Sequence, residues 1–142
     1  MAEVIVVGVD HSPSALRTAQ SASRIAAALD STLNVVTAFD NDRITEFGSG
    51  SDRLMVSDAD EAEQVAKSVV GSLGTAGVDA VPFAVRGTPA QALIRHAEMY
   101  EAHTIVVGNK HMQGLGRVLG SVANSVAHGA QCDVLIVKTN NA

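Results

Sequence analysis

The chain has few aromatic residues and almost no cysteine. Its 142 residues include no Trp, one Tyr, three Phe and one Cys. A protein that stacks the bases of single-stranded nucleic acid needs exposed rings, so the composition excludes that class. The lone Cys132 cannot form an internal disulfide, which excludes a disulfide-stabilised scaffold and favours a reducing compartment.

Positive charge and long apolar segments are also scarce. Ten Lys and Arg against fifteen Asp and Glu give a formal net charge of −5, the wrong sign for a protein that binds the phosphate backbone of nucleic acids. The first apolar run, Val4 to Val9, is too short for a signal peptide, and no run approaches the ~20 residues of a membrane helix. We therefore predict a cytoplasmic protein, with neither nucleic acid nor membrane as a partner.

Aliphatic residues are plentiful, and they fall into a regular pattern. Hydrophobic residues make up 46% of the chain, and segments with helical periodicity separate most of the apolar runs. The five runs are residues 4–9, 33–39, 78–85, 104–107 and 134–137. Strands that alternate with helices form parallel sheets through right-handed crossovers. The prediction is one α/β domain over residues 1–142, a five-stranded, doubly wound, Rossmann-like parallel sheet with helices on both faces.

Three local patterns predict how the connections are built. Thr88 and Gln91 can form a capping box at the start of the third helix, with Pro89 in its first turn. Gly129 can end the last helix in the left-handed conformation. Residues 40–57 form a long polar connection without clear periodicity, and their Gly/Ser content favours a mobile segment over one that covers a site.

The segment after the fourth strand, residues 108–121, is the first candidate for a ligand site. Ligands of doubly wound sheets bind outside the carboxyl ends of the strands. The segment has four glycines, and Lys110 and Arg117 are the only formal charges in residues 102–132. Gly120 and Ser121 begin a helix, whose free amides favour an anion. Neither the P-loop motif nor the dinucleotide-binding fingerprint matches the sequence here. We favour a polyphosphate site over the alternative, which is a flexible glycine loop before an ordinary helix.

Asp10, at the end of the first strand, is the second candidate. Its carboxylate could accept hydrogen bonds from ribose hydroxyls or hold a hydrated Mg²⁺ ion. Alternatively, Asp10 or Ser12 caps the following helix, with Pro13 in its first turn, and both interpretations can hold at once. A phosphoacceptor receiver domain is excluded, because Asp10 has no acidic neighbour and the third strand ends in Arg86-Gly87.

The sequence gives little indication of catalysis. No pair of the five histidines has the spacing of zinc ligands, and no Ser, Cys or Lys stands out as a nucleophile beside a base. We interpret the histidines as structural or surface residues and Cys132 as a small buried hydrophobe. The protein is therefore expected to be no efficient enzyme, and at most a slow ATP hydrolase.

Taken together, three segments resemble the universal stress protein family over essentially the whole chain. Val4 to Asp10 with Ser12 resembles its opening strand. Val106-Val107-Gly108 followed by Gly120-Ser121-Val122 resembles its nucleotide signature, and Cys132 to Val137 its closing strand. The resemblance implies an adenine nucleotide α-hydrolase-like fold and a regulatory, cytoplasmic stress-response protein. The implied ligand is ATP, or AMP or ADP, with Mg²⁺ as a further candidate.

The resemblance also assigns roles to individual residues. Asp10 would meet the ribose or the metal, Ala38 would face the adenine, Gly108 would lie under the ribose, and residues 120–122 would hold phosphates. With the residues of the glycine segment added, the predicted nucleotide-binding set is Val9, Asp10, Ser12, Ala38, Gly108, Asn109, Lys110, Gly114, Arg117, Gly120, Ser121 and Val122.

Two further expectations concern partners. In the nucleotide signature, His111 occupies the position of the second glycine, and eight residues instead of nine separate it from Gly120. A dimeric interaction module that does not bind nucleotide is therefore the alternative function.

The last apolar run predicts a homodimer. Val134 to Val137 would leave four apolar residues on an unpaired sheet edge, and a homodimer that pairs these edges would cover them. The resemblance implies the same dimer.

Overall fold

The computed structural model describes residues 3–40, 44–47, 54–74, 78–109 and 120–139. The strands are β1 (Val4–Gly8), β2 (Thr32–Phe39), β3 (Ile44–Phe47), β4 (Leu54–Ser57), β5 (Ala80–Arg86), β6 (Thr104–Gly108) and β7 (Asp133–Val137). The helices are α1 (Ser14–Leu29), α2 (Asp58–Leu73), α3 (Pro89–Met99) and α4 (Ser121–Gly129).

Five of these strands form the predicted doubly wound sheet. Its order is β5-β2-β1-β6-β7, and every neighbouring pair is parallel. The chain runs outward from β1 through β2 to β5, then returns to the other side of β1 for β6 and β7. The strand order therefore reverses between β1 and β6, and this Rossmann-like arrangement confirms the predicted fold class.

The alternation of side chains along the central strands places a core on each face of the sheet. On one face, Val7 and Val35 pack with a row of small residues on α1, including Ala19 and Ala22. On the other face, Val6, Val36 and Ile105 pack with Leu93 of α3 and Val126 of α4. The apolar stripes of the helices therefore cover both faces of the sheet, as predicted.

The connection between β2 and α2 differs from the expectation. β3 and β4 pair as an antiparallel two-stranded sheet, with Ile44 opposite Ser57 and Phe47 opposite Leu54. The prediction of a connection without periodic structure is therefore wrong for these eight residues. Each strand has only four residues, too few for a periodic pattern to stand out from a loop. Residues 41–43 and 48–53 lie outside the described residues.

The helix ends agree with the prediction at α3 and differ at α4. The Thr88 side chain accepts a hydrogen bond from the Gln91 amide, and the Gln91 side chain accepts one from the Thr88 amide, which confirms the capping box. At α4, Gly129 is still helical and the cap is Ala130, with φ −72°, so the predicted left-handed stop is wrong. A Cβ on Gly129 would lie 2.8 Å from Ile94 Cδ1, so α3 approaches α4 closely at this glycine.

Candidate functional site

An open cleft lies at the carboxyl ends of β1, β2 and β6, at the point where the strand order reverses. Its volume is about 140 Å³, enough for several water molecules. The lining residues are Gly8, Val9, Asp10, Ser12, Ser14, Ala15, Thr18, Val36, Ala38, Pro89, Leu93, Val107, Gly108, Gly120, Val122 and Ala123. Its walls are therefore mostly apolar, with polar groups at a few points, as in typical small-molecule sites.

The exit of β1 brings a carboxylate and hydroxyls to the mouth of the cleft. Asp10 is exposed, and its Oδ1 accepts hydrogen bonds from the Ser12 amide at 2.9 Å and the Ser12 hydroxyl at 2.5 Å. The N-cap of α1 is Pro13, which makes no side-chain capping bond. Asp10 thus stabilises the turn before α1, and it is the only formally charged residue among the described lining residues.

The exit of β2 presents main-chain groups to the cleft. The Val9 amide donates to the Val36 carbonyl at 2.9 Å, and the Gly87 amide donates to the Phe39 carbonyl at 2.9 Å. Val36 therefore directs its main-chain groups toward β1, and Phe39 directs its own toward β5. Along a strand, the main-chain groups of successive residues point alternately to the two neighbouring strands. The amide and carbonyl of Ala38 therefore point toward β1, as those of Val36 do. Because β1 pairs with β2 only as far as Gly8 and Val36, these two groups lie beyond the ladder and face the cleft.

The exit of β6 forms the floor of the cleft, where a side chain has no room. A Cβ on Gly108 would lie 2.8 Å from Thr18 Oγ1 and 3.4 Å from Thr139 Cγ2. The next residue, Asn109, is 1% exposed, and its Oδ1 accepts hydrogen bonds from the amide and hydroxyl of Thr139 at 2.7 and 3.1 Å. The Asn109 side chain thus binds the C-terminal segment.

The N-terminus of α4 closes the other side of the cleft. Gly120 is buried and caps the helix without a side-chain hydrogen bond. Gly120, Val122 and Ala123 line the cleft. Gly120 therefore has no side chain to cap the first-turn amides, and with the helix dipole these amides form an environment that favours an anion.

The structure brings seven of the twelve predicted site residues together in the cleft lining: Val9, Asp10, Ser12, Ala38, Gly108, Gly120 and Val122. Asn109 and Ser121 are not among the lining residues; Asn109 is buried and Ser121 is exposed. The remaining predictions, Lys110, Gly114 and Arg117, lie outside the described residues, as does His111.

Sequence reasoning missed nine lining residues: Gly8, Ser14, Ala15, Thr18, Val36, Pro89, Leu93, Val107 and Ala123. Most belong to helices or strands whose apolar stripes were interpreted only as core. Thr18 carried a usable signal, because it is a polar residue one position before Ala19 in the buried stripe of α1. It is 2% exposed, and its hydroxyl donates to the Ser14 carbonyl at 3.1 Å.

Two titratable groups outside the cleft, the buried His96 and the half-buried Cys132, have shifted pKa values. Burial lowers the pKa of His96 to about 4, and its Nε2 lies 3.1 Å from Asn34 Nδ2. Burial, and secondarily the neighbouring charge of Asp133, raises the pKa of the half-buried Cys132 thiol. Within the described ranges, no three His, Cys, Asp or Glu residues come together as metal ligands, and no helix is long and apolar enough to cross a membrane.

Comparisons of the sequence and of the structure with known proteins find the same family. Residues 1–138 match the model of the universal stress protein family. A universal stress protein of Mycobacterium tuberculosis is 32% identical, and the alignment covers 96% of this chain and 97% of that protein. The crystal structure of a universal stress protein in complex with cAMP is 31% identical, with a TM-score of 0.76 over 97% of this chain and 98% of that one. A universal stress protein of Archaeoglobus fulgidus shares the fold, with 24% identity and a TM-score of 0.75 over 97% of this chain and 100% of that one.

Proposed function

The chain belongs to the universal stress protein family, and we propose that it binds an adenine nucleotide in this cleft as a regulatory ligand. The observation that carries the proposal is the convergence, where the strand order reverses, of three groups whose chemistry suits a nucleotide. These are the main-chain groups of Ala38, the carboxylate of Asp10 and the open amides of α4. The 31%-identical relative in complex with cAMP supports the same ligand class.

The proposed orientation follows from the chemistry of each part of the ligand. Adenine presents an acceptor at N1 beside a donor at its 6-amino group, which complements the amide and carbonyl of Ala38. Val36 and Leu93 would supply apolar contacts to the ring. The ribose would then lie above Gly108, with its hydroxyls within reach of Asp10, and the phosphates would bind the amides of α4.

Mg²⁺ has a limited protein ligand set in this arrangement. Mg²⁺ in nucleotide sites keeps several waters and takes one or two carboxylates plus phosphate oxygens. Asp10 could supply one such ligand, although Ser12 already hydrogen-bonds its Oδ1. Since Asp10 is the only charged side chain in the described lining, we expect nucleotide hydrolysis to be slow or absent.

The first experiment measures binding by isothermal titration calorimetry with ATP, ADP, AMP and cAMP, with and without Mg²⁺. We expect saturable binding of at least one of them. We also expect at least tenfold weaker binding of the inosine analogue, because its 6-oxo group cannot donate to the Ala38 carbonyl. Absence of heat from all four nucleotides at millimolar concentration, with folded protein, would contradict the proposal.

A second experiment tests the role of Asp10 by pairing a protein change with a ligand change. If Asp10 accepts hydrogen bonds from the ribose, wild-type protein should prefer AMP over 2′-deoxy-AMP by about tenfold or more, since hydrogen bonds to charged groups contribute about 1.5–3 kcal/mol. Asp10→Asn should reduce that preference. The matched control is Asp30→Asn at the opposite end of the sheet, where Asn tolerates the positive φ of 53°; it should retain the wild-type preference.

The alternative function is a dimeric interaction module that does not bind nucleotide, as the altered signature at His111 suggests. A His111→Gly variant with one inserted residue that gains ATP affinity over a non-binding parent would support it. Tight binding by the parent protein would remove the need for it.

We further propose that the protein acts in the cytoplasm in the response to stress, as a single-domain homodimer. The edge position of β7 supports the dimer, because Leu135 is 37% exposed there and β6 is the one described strand that pairs with β7. Sedimentation equilibrium should show a dimer, and Leu135→Lys should shift it toward monomer.

A further inference from the structure

Within the described part of the chain, Asn109, directly after β6, makes three hydrogen bonds with the last residue of β7 and the segment that follows it. The Asn109 amide donates to the Val137 carbonyl at 3.0 Å. The Asn109 Oδ1 accepts from the Thr139 amide at 2.7 Å and from the Thr139 hydroxyl at 3.1 Å. One buried side chain thus links two segments that lie thirty positions apart. We call this arrangement the Asn109–Thr139 clamp.

The clamp is adjacent to the floor of the cleft. Gly108, which lines the cleft, lies between Thr18 of α1 and Thr139: a Cβ on Gly108 would be 2.8 Å from the Thr18 hydroxyl oxygen and 3.4 Å from the Thr139 methyl carbon. Thr139 therefore contacts the main chain at Gly108 and, through its two hydrogen bonds, the side chain of Asn109. A change in Thr139 would alter this floor, although Thr139 does not line the cleft.

We propose that Thr139 is a positioning residue of the nucleotide site, an inference that rests on the proposed function. Its hydroxyl holds the Asn109 amide oxygen and thereby fixes the main chain on which the ribose would lie. Without the hydroxyl, one of the two hydrogen bonds between Thr139 and that oxygen would be lost, and the floor would sample more conformations. Ligand binding would then have to order it, which lowers affinity.

The test compares three substitutions in the full-length chain by titration with ATP, AMP and cAMP. Thr139→Val removes the hydroxyl and keeps the branched shape, whereas Thr139→Ser keeps the hydroxyl. Thr104→Val is the matched control at the opposite end of β6, where it removes a hydroxyl that lies 2.7 Å from His103 Nδ1. We expect Thr139→Val to weaken binding about fivefold, the effect of one net hydrogen bond. Thr139→Ser should bind within about twofold of wild type, and Thr104→Val should bind as wild type does.

A second measurement on the wild-type protein separates positioning from general stability. Because coupling between two sites is reciprocal, a bound nucleotide should slow hydrogen exchange of the Thr139 amide. Exchange at the Asp133 amide, which donates to the His103 carbonyl at 3.2 Å, should slow less. This measurement stands even if Thr139→Val does not fold.

The outcomes that would contradict the inference differ from the one that would contradict the proposed function. Equal affinities of wild type and Thr139→Val, or an equal loss in Thr104→Val, would overturn the inference while leaving nucleotide binding intact. Unchanged Thr139 exchange in the saturated protein would also overturn it. Failure of wild-type protein to bind any of the three nucleotides would refute the proposed function for these ligands, and the inference with it.

Discussion

Mild acid should destabilise this protein through one buried ring, that of His96 on α3. The ring is 4% exposed and packs against Phe83 and Tyr100, with centroid separations of 4.6 and 4.4 Å. Its Nε2 lies 3.1 Å from the amide nitrogen of Asn34. That nitrogen can only donate, so Nε2 accepts and the ring is neutral in the folded state.

The size of the effect follows from the difference between the folded and unfolded pKa values. Burial lowers the folded pKa of His96 from 6.5 to about 4, so the unfolded chain binds a proton between these values that the folded chain does not. The free energy of unfolding must therefore fall as the pH falls through this window. At about 1.4 kcal/mol per pKa unit, this group should reduce stability, relative to pH 7.5, by about 2 kcal/mol at pH 5 and about 3 kcal/mol at pH 4. Typical domains have only about 5–15 kcal/mol in total.

Urea unfolding followed by far-ultraviolet circular dichroism at pH 7.5 and pH 5 would measure this effect. The comparison protein is Asn34→Val/His96→Phe, which replaces both hydrogen-bonding partners with apolar groups and so leaves no unpaired buried amide. Exposed carboxylates titrate alike in the two proteins, so they cancel in the difference. Wild type should lose about 2 kcal/mol more than the double variant between these pH values. Equal losses, or an NMR titration midpoint of His96 near 6.5, would contradict this prediction.

Four further substitutions test particular contacts by thermal unfolding. Gly108→Ala should lower the Tm because the new Cβ would lie 2.8 Å from Thr18 Oγ1, and Thr18→Ala in the same chain should restore part of the loss; simple additivity would contradict this. Thr88→Ala should cost about 1 kcal/mol by removing a capping box, and Thr88→Ser should not. Gly87→Ala should cost about 1–3 kcal/mol, because its φ of 132° strains any L side chain. Gly71→Ala should instead stabilise α2 by about 0.5–1 kcal/mol, since a Cβ there meets nothing within 4 Å.

The sequence predicted those residues of the cleft whose positions follow from sheet topology alone. In a doubly wound sheet the carboxyl ends of adjacent strands must meet at one edge. Asp10, Ala38 and Gly108 therefore had to converge once the strands were identified, and their side-chain directions mattered little. The capping box at Thr88 was predictable for a similar reason, because its hydrogen bonds join residues three positions apart.

The sequence predicted less where contacts between residues far apart in the chain determine the surroundings of a side chain. Asn109 follows a strand end, so it resembled a ligand contact, yet its side chain turns to Thr139, thirty positions away. Gly129 resembled a left-handed helix stop, but it is helical and lies against Ile94 of α3, whose Cδ1 would be 2.8 Å from a Cβ at this position. Thr18 belongs to a stripe that predicts burial, and the packing of α1 against β6 brings it beside Gly108 in the cleft lining. These contacts depend on how the layers pack, which a one-dimensional pattern does not specify.

A repeated feature of the sequence explains why the cleft is where it is. The two central strands both end in Val-Val-Gly, at Gly8 and at Gly108. A Cβ on Gly8 would lie 2.7 Å from Leu93 of α3, and one on Gly108 would lie 2.8 Å from Thr18 of α1. The two glycines thus admit helices from opposite layers to the ends of adjacent strands. These close approaches make Leu93 and Thr18 part of the lining. The two glycines therefore shape the cleft together, Gly8 on the side of α3 and Gly108 on the side of α1.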